Sequence, residues 1–182
     1  AVAGNDAYVG GYSDRPGTGV VDVSDPTDPQ IVGPWWTAGW AWGVAVAGDY
    51  AYVVDGRGLE VVDIADPADP RIVGSCDMPG GAGDVAVAGD YAYVADGVSL
   101  VALDVSNPTD PQIVGSCDTP GWAQGVAVVG DYAYVADGPN GLQVVDVSDA
   151  SDPRIVGSCD APPPAEPRRV AVAGDYAFVA DW

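Results

Sequence analysis

Histidine and lysine are both absent from the 182-residue chain, and phenylalanine and methionine occur once each. Without histidine, no Ser-His-Asp or Cys-His nucleophilic site can be assembled, and a common metal ligand is missing. Positive charge is scarce: six arginines stand against 27 acidic residues, for a formal net charge of −21. A surface so short of cations does not suit nucleic acid, whose backbone must be neutralised by Lys and Arg. It suits solubility in salt, repulsion from anionic membranes, and attraction for cations or basic partners. No apolar run reaches the roughly 18 residues of a membrane helix. The three cysteines form no CxxC, which removes the usual zinc and haem-attachment patterns. There is no GxGxxG, Walker loop or HExxH. No enzyme active site is therefore expected.

What the chain does have is repetition. The phrase Gly48-Asp49-Tyr50-Ala51-Tyr52-Val53 returns at Gly89 and Gly130, and as Gly174-Asp175-Tyr176-Ala177-Phe178-Val179, with a worn copy at Gly4-Asn5-Asp6-Ala7-Tyr8-Val9. The copies are 44, 41, 41 and 44 residues apart. A period of about 40–45 residues is that of a four-stranded propeller blade. β-Branched and aromatic runs separated by Gly, Asp and Pro exclude two-helix repeats of similar length.

The third unit shows the expected strands. Strand a is 84–88, strand b 91–95, strand c 99–105 and strand d 112–117. A Gly-Asp turn joins a to b, and a loop of the form Asp/Asn-Pro-x-Asp-Pro joins c to d in the first three units. Glycine and Asp tolerate the unusual φ of a short turn, and Pro presets φ. The fold class is thus all-β, a propeller of four-stranded antiparallel blades. One propeller domain or segment spans 1–182, with units at about 1–40, 41–81, 82–122 and 123–166 and a partial unit at 167–182.

The phrases Gly58-Leu59-Glu60-Val61-Val62-Asp63-Ile64-Ala65-Asp66-Pro67, Gly141-Leu142-Gln143-Val144-Val145-Asp146-Val147-Ser148-Asp149 and Tyr50-Ala51-Tyr52-Val53 resemble the LVIVD repeat. That resemblance implies a bacterial or archaeal, mostly exported propeller protein, and carries no catalytic residues. Pro34-Trp35-Trp36 replaces the Ser-Cys-Asp of later units and makes the first blade locally unusual.

Five a–b pairs stand against four c–d pairs. Three readings are open: a segment of a longer propeller, a ring ending in a hairpin, or a ring completed by a second chain or partner through open blade edges. Ala1 lies inside a repeat without an initiator Met, so processing or an incomplete N-terminus is expected.

Variation among the units locates a functional face. Antiparallel strands place the b–c and d–a loops on one face, here the upper, and the a–b and c–d turns on the lower. The lower turns barely change, whereas the upper loops diverge. Trp40, Gly81, Trp122 and Glu166 share one position before strand a, and Trp42, Gly83, Gln124 and Arg168 another. Variation within an array marks specialisation. The candidate partner-binding residues are Trp35, Trp36, Trp40, Trp42 and Trp122 with Arg15, Arg57, Arg168 and Arg169, since exposed Trp and Arg anchor interfaces. Packing over the core between blades is the alternative for the indoles.

The lower face carries rows of carboxylates. Asp25, Asp28, Asp66 and Asp69 are weak candidates for Ca2+, but their spacing matches neither an EF-hand nor a glycine-rich nonapeptide loop, so turn capping is the expectation. Asp22, Asp63, Asp104 and Asp146 recur in strand c and need backbone N–H or Tyr hydroxyl partners. Cys76, Cys117 and Cys159 occupy equivalent positions too far apart for disulfides and are expected to be small buried side chains.

These residues point to a non-enzymatic extracytoplasmic binding module (extracellular, cell-surface or periplasmic) without a cofactor, whose upper face docks a protein or glycan. A structural subunit self-associating through terminal blade edges is the second reading, and a propeller hydrolase with a central metal the third.

Overall fold

The computed structural model describes residues 1–11, 17–37, 39–78, 80–161 and 166–180. Four four-stranded antiparallel sheets follow one another, and a two-stranded hairpin ends the series. The first blade holds β1 (Val2–Ala3), β2 (Asp6–Gly11), β3 (Gly17–Asp22) and β4 (Gln30–Trp35). The second holds β5 (Gly43–Ala47), β6 (Tyr50–Val54), β7 (Gly58–Asp63) and β8 (Arg71–Asp77). The third holds β9 (Asp84–Ala88), β10 (Tyr91–Ala95), β11 (Gly97–Asp104) and β12 (Gln112–Ala123). In the fourth are β13 (Gly125–Val129), β14 (Tyr132–Ala136), β15 (Leu142–Asp146) and β16 (Arg154–Cys159). The hairpin is β17 (Arg169–Ala173) and β18 (Tyr176–Ala180). The imbalance of a–b over c–d pairs read from the repeats is thus real.

The turns explain the register. Gly48, Gly89, Gly130 and Gly174 all sit near φ +58°, the left-handed region that closes a tight hairpin. Each sheet also carries an irregularity at one place between strands c and d: Val20/Val21, Val61/Val62, Ala102/Leu103 and Val144/Val145. The partner there is a glycine, Gly33, Gly74, Gly115 or Gly157. A Cβ at Gly33, Gly74 or Gly115 would run into the carbonyl of Pro67, Pro108 or Ala150 in the next blade's c–d loop.

The core lies between blades, as sheets covered on both faces require. Tyr8, Val20 and Trp35 of the first blade meet Ala51, Val53, Val62 and Ile64 of the second. Tyr52, Val54, Leu59 and Val61 meet Val85, Val94, Val101 and Leu103 of the third. Tyr93, Leu100 and Ala102 then meet Val126, Val135, Val145 and Val147 of the fourth. Each blade therefore has an aromatic-bearing face and an aliphatic face, and the two kinds alternate along the series. The inner strands β5, β9, β13 and β17 lie side by side. Among the described residues, no helix is long and apolar enough to cross a membrane.

Two expectations need correction. Strand d of the third blade does not end at Cys117: β12 continues to Ala123, after an irregularity, with Gly97 paired to Ala123. The cysteines are not core residues either. Cys76 and Cys117 are half-buried and Cys159 is exposed, because strand d is the outermost strand of its blade.

Candidate binding site at the axis

The start of each inner strand is built the same way. The residue two places before the first Val of strand a donates its N–H to the last carbonyl of strand b. Trp42 bonds Val54 at 2.8 Å, and Gly83, Gln124 and Arg168 bond Ala95, Ala136 and Ala180 at 2.9 Å each. One rigid backbone frame thus presents four different side chains. All four line a single cavity of about 480 Å3 on the upper face, with Trp122 and Arg169 also in its wall.

Arg169 fastens this ring from within. Its guanidinium donates to the carbonyls of Trp42 at 3.1 Å, Gln124 at 3.0 Å and Gly83 at 3.4 Å. Those carbonyls belong to the same repeat position in three consecutive blades. Asp84, in the next repeat position along, lies 3.6 Å from the guanidinium and supplies the counter-charge. Burial pushes the Asp84 carboxyl up, and Arg169 and the Val126 N–H pull against that shift. The axial carboxylate therefore faces a cation rather than a second carboxylate.

The indoles are held, not merely displayed. Trp42 packs its Nε1 edge against Gly56, and the Trp122 ring packs against Gly97; both glycines have positive φ. A side chain at Gly97 would press on the Trp122 ring at 3.2 Å. Trp122 lies on the extended end of β12 rather than on a free loop, which the divergence of the loops could not reveal. Trp40 stands edge-on to Trp42, ring centres 6.3 Å apart at 72°. Trp40, Trp42 and Trp122 remain about half exposed, at 48%, 45% and 52%.

The other candidates separate. Trp35 is buried in the interface between the first two blades and is no surface anchor; β4 ends on it, side chain inward, and Trp36 follows just beyond the strand. Trp36 is exposed but does not line the axial cavity. Arg57 borders a separate small cleft with Asp55, Glu60 and Cys76. Arg15 lies outside the described residues.

Sequence reasoning missed Asp55, Asp96 and Asp137, one at the end of strand b in each of three blades. All three are buried. Each Oδ2 accepts the backbone N–H of a glycine sixteen residues earlier: Gly39 at 2.7 Å, Gly80 at 3.0 Å and Gly121 at 2.8 Å. These bonds tie each connection from strand d to the blade that it leads into. The recurrent Asp-Gly after strand b was the available signal. Burial raises Asp96 and Asp137, with the N–H donors opposing.

On the lower face the carboxylates cap turns. Asp25 accepts from the Thr27 amide and hydroxyl, Asp66 from Ala68 N–H, and Asp28 from the Gln30 side chain. Asp69 pairs with Arg71. The strand-c carboxylates Asp22, Asp63, Asp104 and Asp146 accept the N–H two residues on, as expected. Among the described residues, no group of three His, Cys, Asp or Glu side chains could hold a metal ion.

Four-stranded blades packed face to face, with inner strands side by side and variable loops on one face, define a β-propeller architecture. The LVIVD repeat matches residues 1–37, 38–78, 79–119, 120–161 and 166–182, and the chain belongs to the LVIVD-repeat family. No curated protein matches the chain. A functionally unknown protein from Desulfotomaculum acetoxidans DSM 771 has a similar crystal structure, with a TM-score of 0.83 at 12% identity. The match covers 99% of this chain and 61% of that one, so the chain spans less than two thirds of the relative's length.

Proposed function

We propose that the protein is a non-enzymatic, extracytoplasmic binding module that docks a protein or glycan through the upper face. One observation carries this reading: four repeat-equivalent positions, locked in one backbone frame, line one cavity with an indole, a bare glycine, an amide and a guanidinium. A scaffold needs identical residues there; a ligand site needs different ones. The pairing of Asp84 with Arg169 supports binding over glycoside hydrolysis, which uses two carboxylates. The test is a screen of glycan and peptide arrays with the full chain and with Trp42→Ala and Trp122→Ala. Binding that both substitutions abolish, without a change in thermal unfolding, is expected. Absence of binding on both arrays, or binding that survives both substitutions, overturns the reading.

A second reading, assembly through blade edges, also has a specific observation. Tyr52 and Tyr93 are buried, but their counterpart Phe178 in the terminal hairpin is 61% exposed. Gly157 keeps the glycine of strand d although, among the described residues, no loop packs on it, unlike Gly33, Gly74 and Gly115.

A further inference from the structure

We propose that the axial cavity is a carbohydrate site whose ligand carries a carboxylate, such as a uronic-acid or sialic-acid residue. This rests on the docking reading above and narrows it to one ligand class.

The repeat itself shows that the indoles are not demanded by folding. Where the second blade has Trp40 and Trp42, the third has Gly81 and Gly83, and its hairpin register is unchanged. Half-exposed Trp costs solubility and is retained here in a fixed orientation over Gly56 and Gly97. A rigid, half-open indole presents a flat apolar plane of the kind that accepts the C–H face of a pyranose ring. Gly83 leaves a gap in the wall, and the Gln124 amide offers donors and an acceptor to hydroxyl groups. A volume of about 480 Å3 is in the range of small-ligand sites. Among the described residues, and apart from the indoles, the wall holds no apolar side chain larger than Ala82 and Ala123. An apolar peptide side chain would find little to fill, whereas a sugar needs only the aromatic planes and polar groups.

Arg168 selects the acid. Arg71 and Arg154 are paired with Asp69 and Asp152 in lower-face turns, and Arg169 is engaged with three carbonyls. Among the described residues Arg168 forms one ion pair, with the half-exposed Glu166 at 3.7 Å, which is longer than a hydrogen bond. Among the described residues its guanidinium forms no hydrogen bond, so its planar fork is available for bidentate contact with a carboxylate.

The test titrates the full chain with a panel of uronic- and sialic-acid oligosaccharides and their carboxyl-reduced neutral counterparts, read by calorimetry and tryptophan fluorescence. An acidic member is expected to bind about tenfold more tightly than its neutral counterpart, with a change in tryptophan emission. Arg168→Gln should erase that preference, and Trp42→Ala and Trp122→Ala should weaken both forms at unchanged thermal stability. Equal binding of acidic and neutral sugars, or a preference that survives Arg168→Gln, overturns the carboxylate assignment and leaves the docking reading standing. Absence of binding by every sugar overturns the carbohydrate assignment. If an array peptide then binds and is lost in the Trp variants, docking still stands; if none does, both fall.

Discussion

Carboxylates in this chain do two opposite things. Asp22, Asp25, Asp104, Asp146 and Asp149 cap exposed turns, and hydrogen bonds from Ser or Thr two residues on hold them below their ordinary value. Asp84, Asp96 and Asp137 are raised by burial. A lowered group stabilises the fold above its ordinary pKa, and that contribution is lost as pH falls through the folded value. A raised group favours the fold at low pH, and that contribution is lost as pH rises through its folded value. The folded state should therefore become more stable to heat as pH is lowered from neutrality toward the ordinary carboxylate range, because the raised groups take up protons first and self-repulsion at −21 relaxes. The trend should reverse below the ordinary carboxylate value of 3.8, as the turn caps protonate. A stability that only declines from pH 7 downward would contradict the assignment of Asp84, Asp96 and Asp137.

The same buried acids allow a sharper measurement. Asp137→Ala removes the acceptor for Gly121 N–H and should destabilise the protein by about 1–3 kcal/mol in denaturant unfolding. Asp137→Asn keeps a carbonyl acceptor and should recover most of that loss. If Ala and Asn behave alike, the bond to Gly121 is not what matters at this position.

At the scale of elements, the glycine of strand d is a seat for the neighbouring blade. At Gly115 a methyl group would meet the Ala150 carbonyl and the Pro153 ring, whereas at Gly157 it would meet only Val144 at 3.8 Å. Gly115→Ala should therefore cost about 1–3 kcal/mol by overpacking, while Gly157→Ala should change the unfolding of the isolated chain by less than about 0.5 kcal/mol. Equal costs at the two sites would mean that the strand irregularity, and not the adjacent loop, requires the glycine.

Strand assignments were legible at this scale because each repeat is written several times. The third unit's β9 and β10 fall where the pattern predicts, and the glycine of each Gly-Asp turn has the positive φ that glycine tolerates. The extension of β12 was not legible. Its Thr119-Pro120-Gly121-Trp122-Ala123 reads as a loop by composition, and it becomes a strand because Gly97 offers Ala123 a pairing partner. That partner is on another strand, outside the reach of local propensity.

At the scale of the whole molecule, among the described residues the aromatic face of the last hairpin and the aliphatic face of the first blade are not covered by another sheet. Phe178 and Tyr176 at one end, and Val2, Val9 and Ile31 in the first blade, are exposed. These are the two kinds of face that pair at every internal junction. Light scattering after size exclusion distinguishes the proposals: a monomer favours docking, while a head-to-tail oligomer dissociated by Phe178→Asp favours assembly. EDTA should leave the mass unchanged, because lower-face carboxylates such as Asp25 and Asp69 are engaged by local donors.

The sequence by itself determined the repeat, the strands, the strand-count imbalance, the turn-capping Asp residues and the face on which variation collects. All of these follow from local chemistry recurring at a fixed period. Only the tertiary structure decided which variable residues meet. Trp42, Gln124 and Arg168 are separated by 82 and 44 residues along the chain, and nothing local brings them together. They converge because the inner strands pack side by side and Arg169 gathers their carbonyls at the axis. The same packing took Trp35, the last residue of β4, into the interface between the first two blades and left Trp36, just past the strand, exposed.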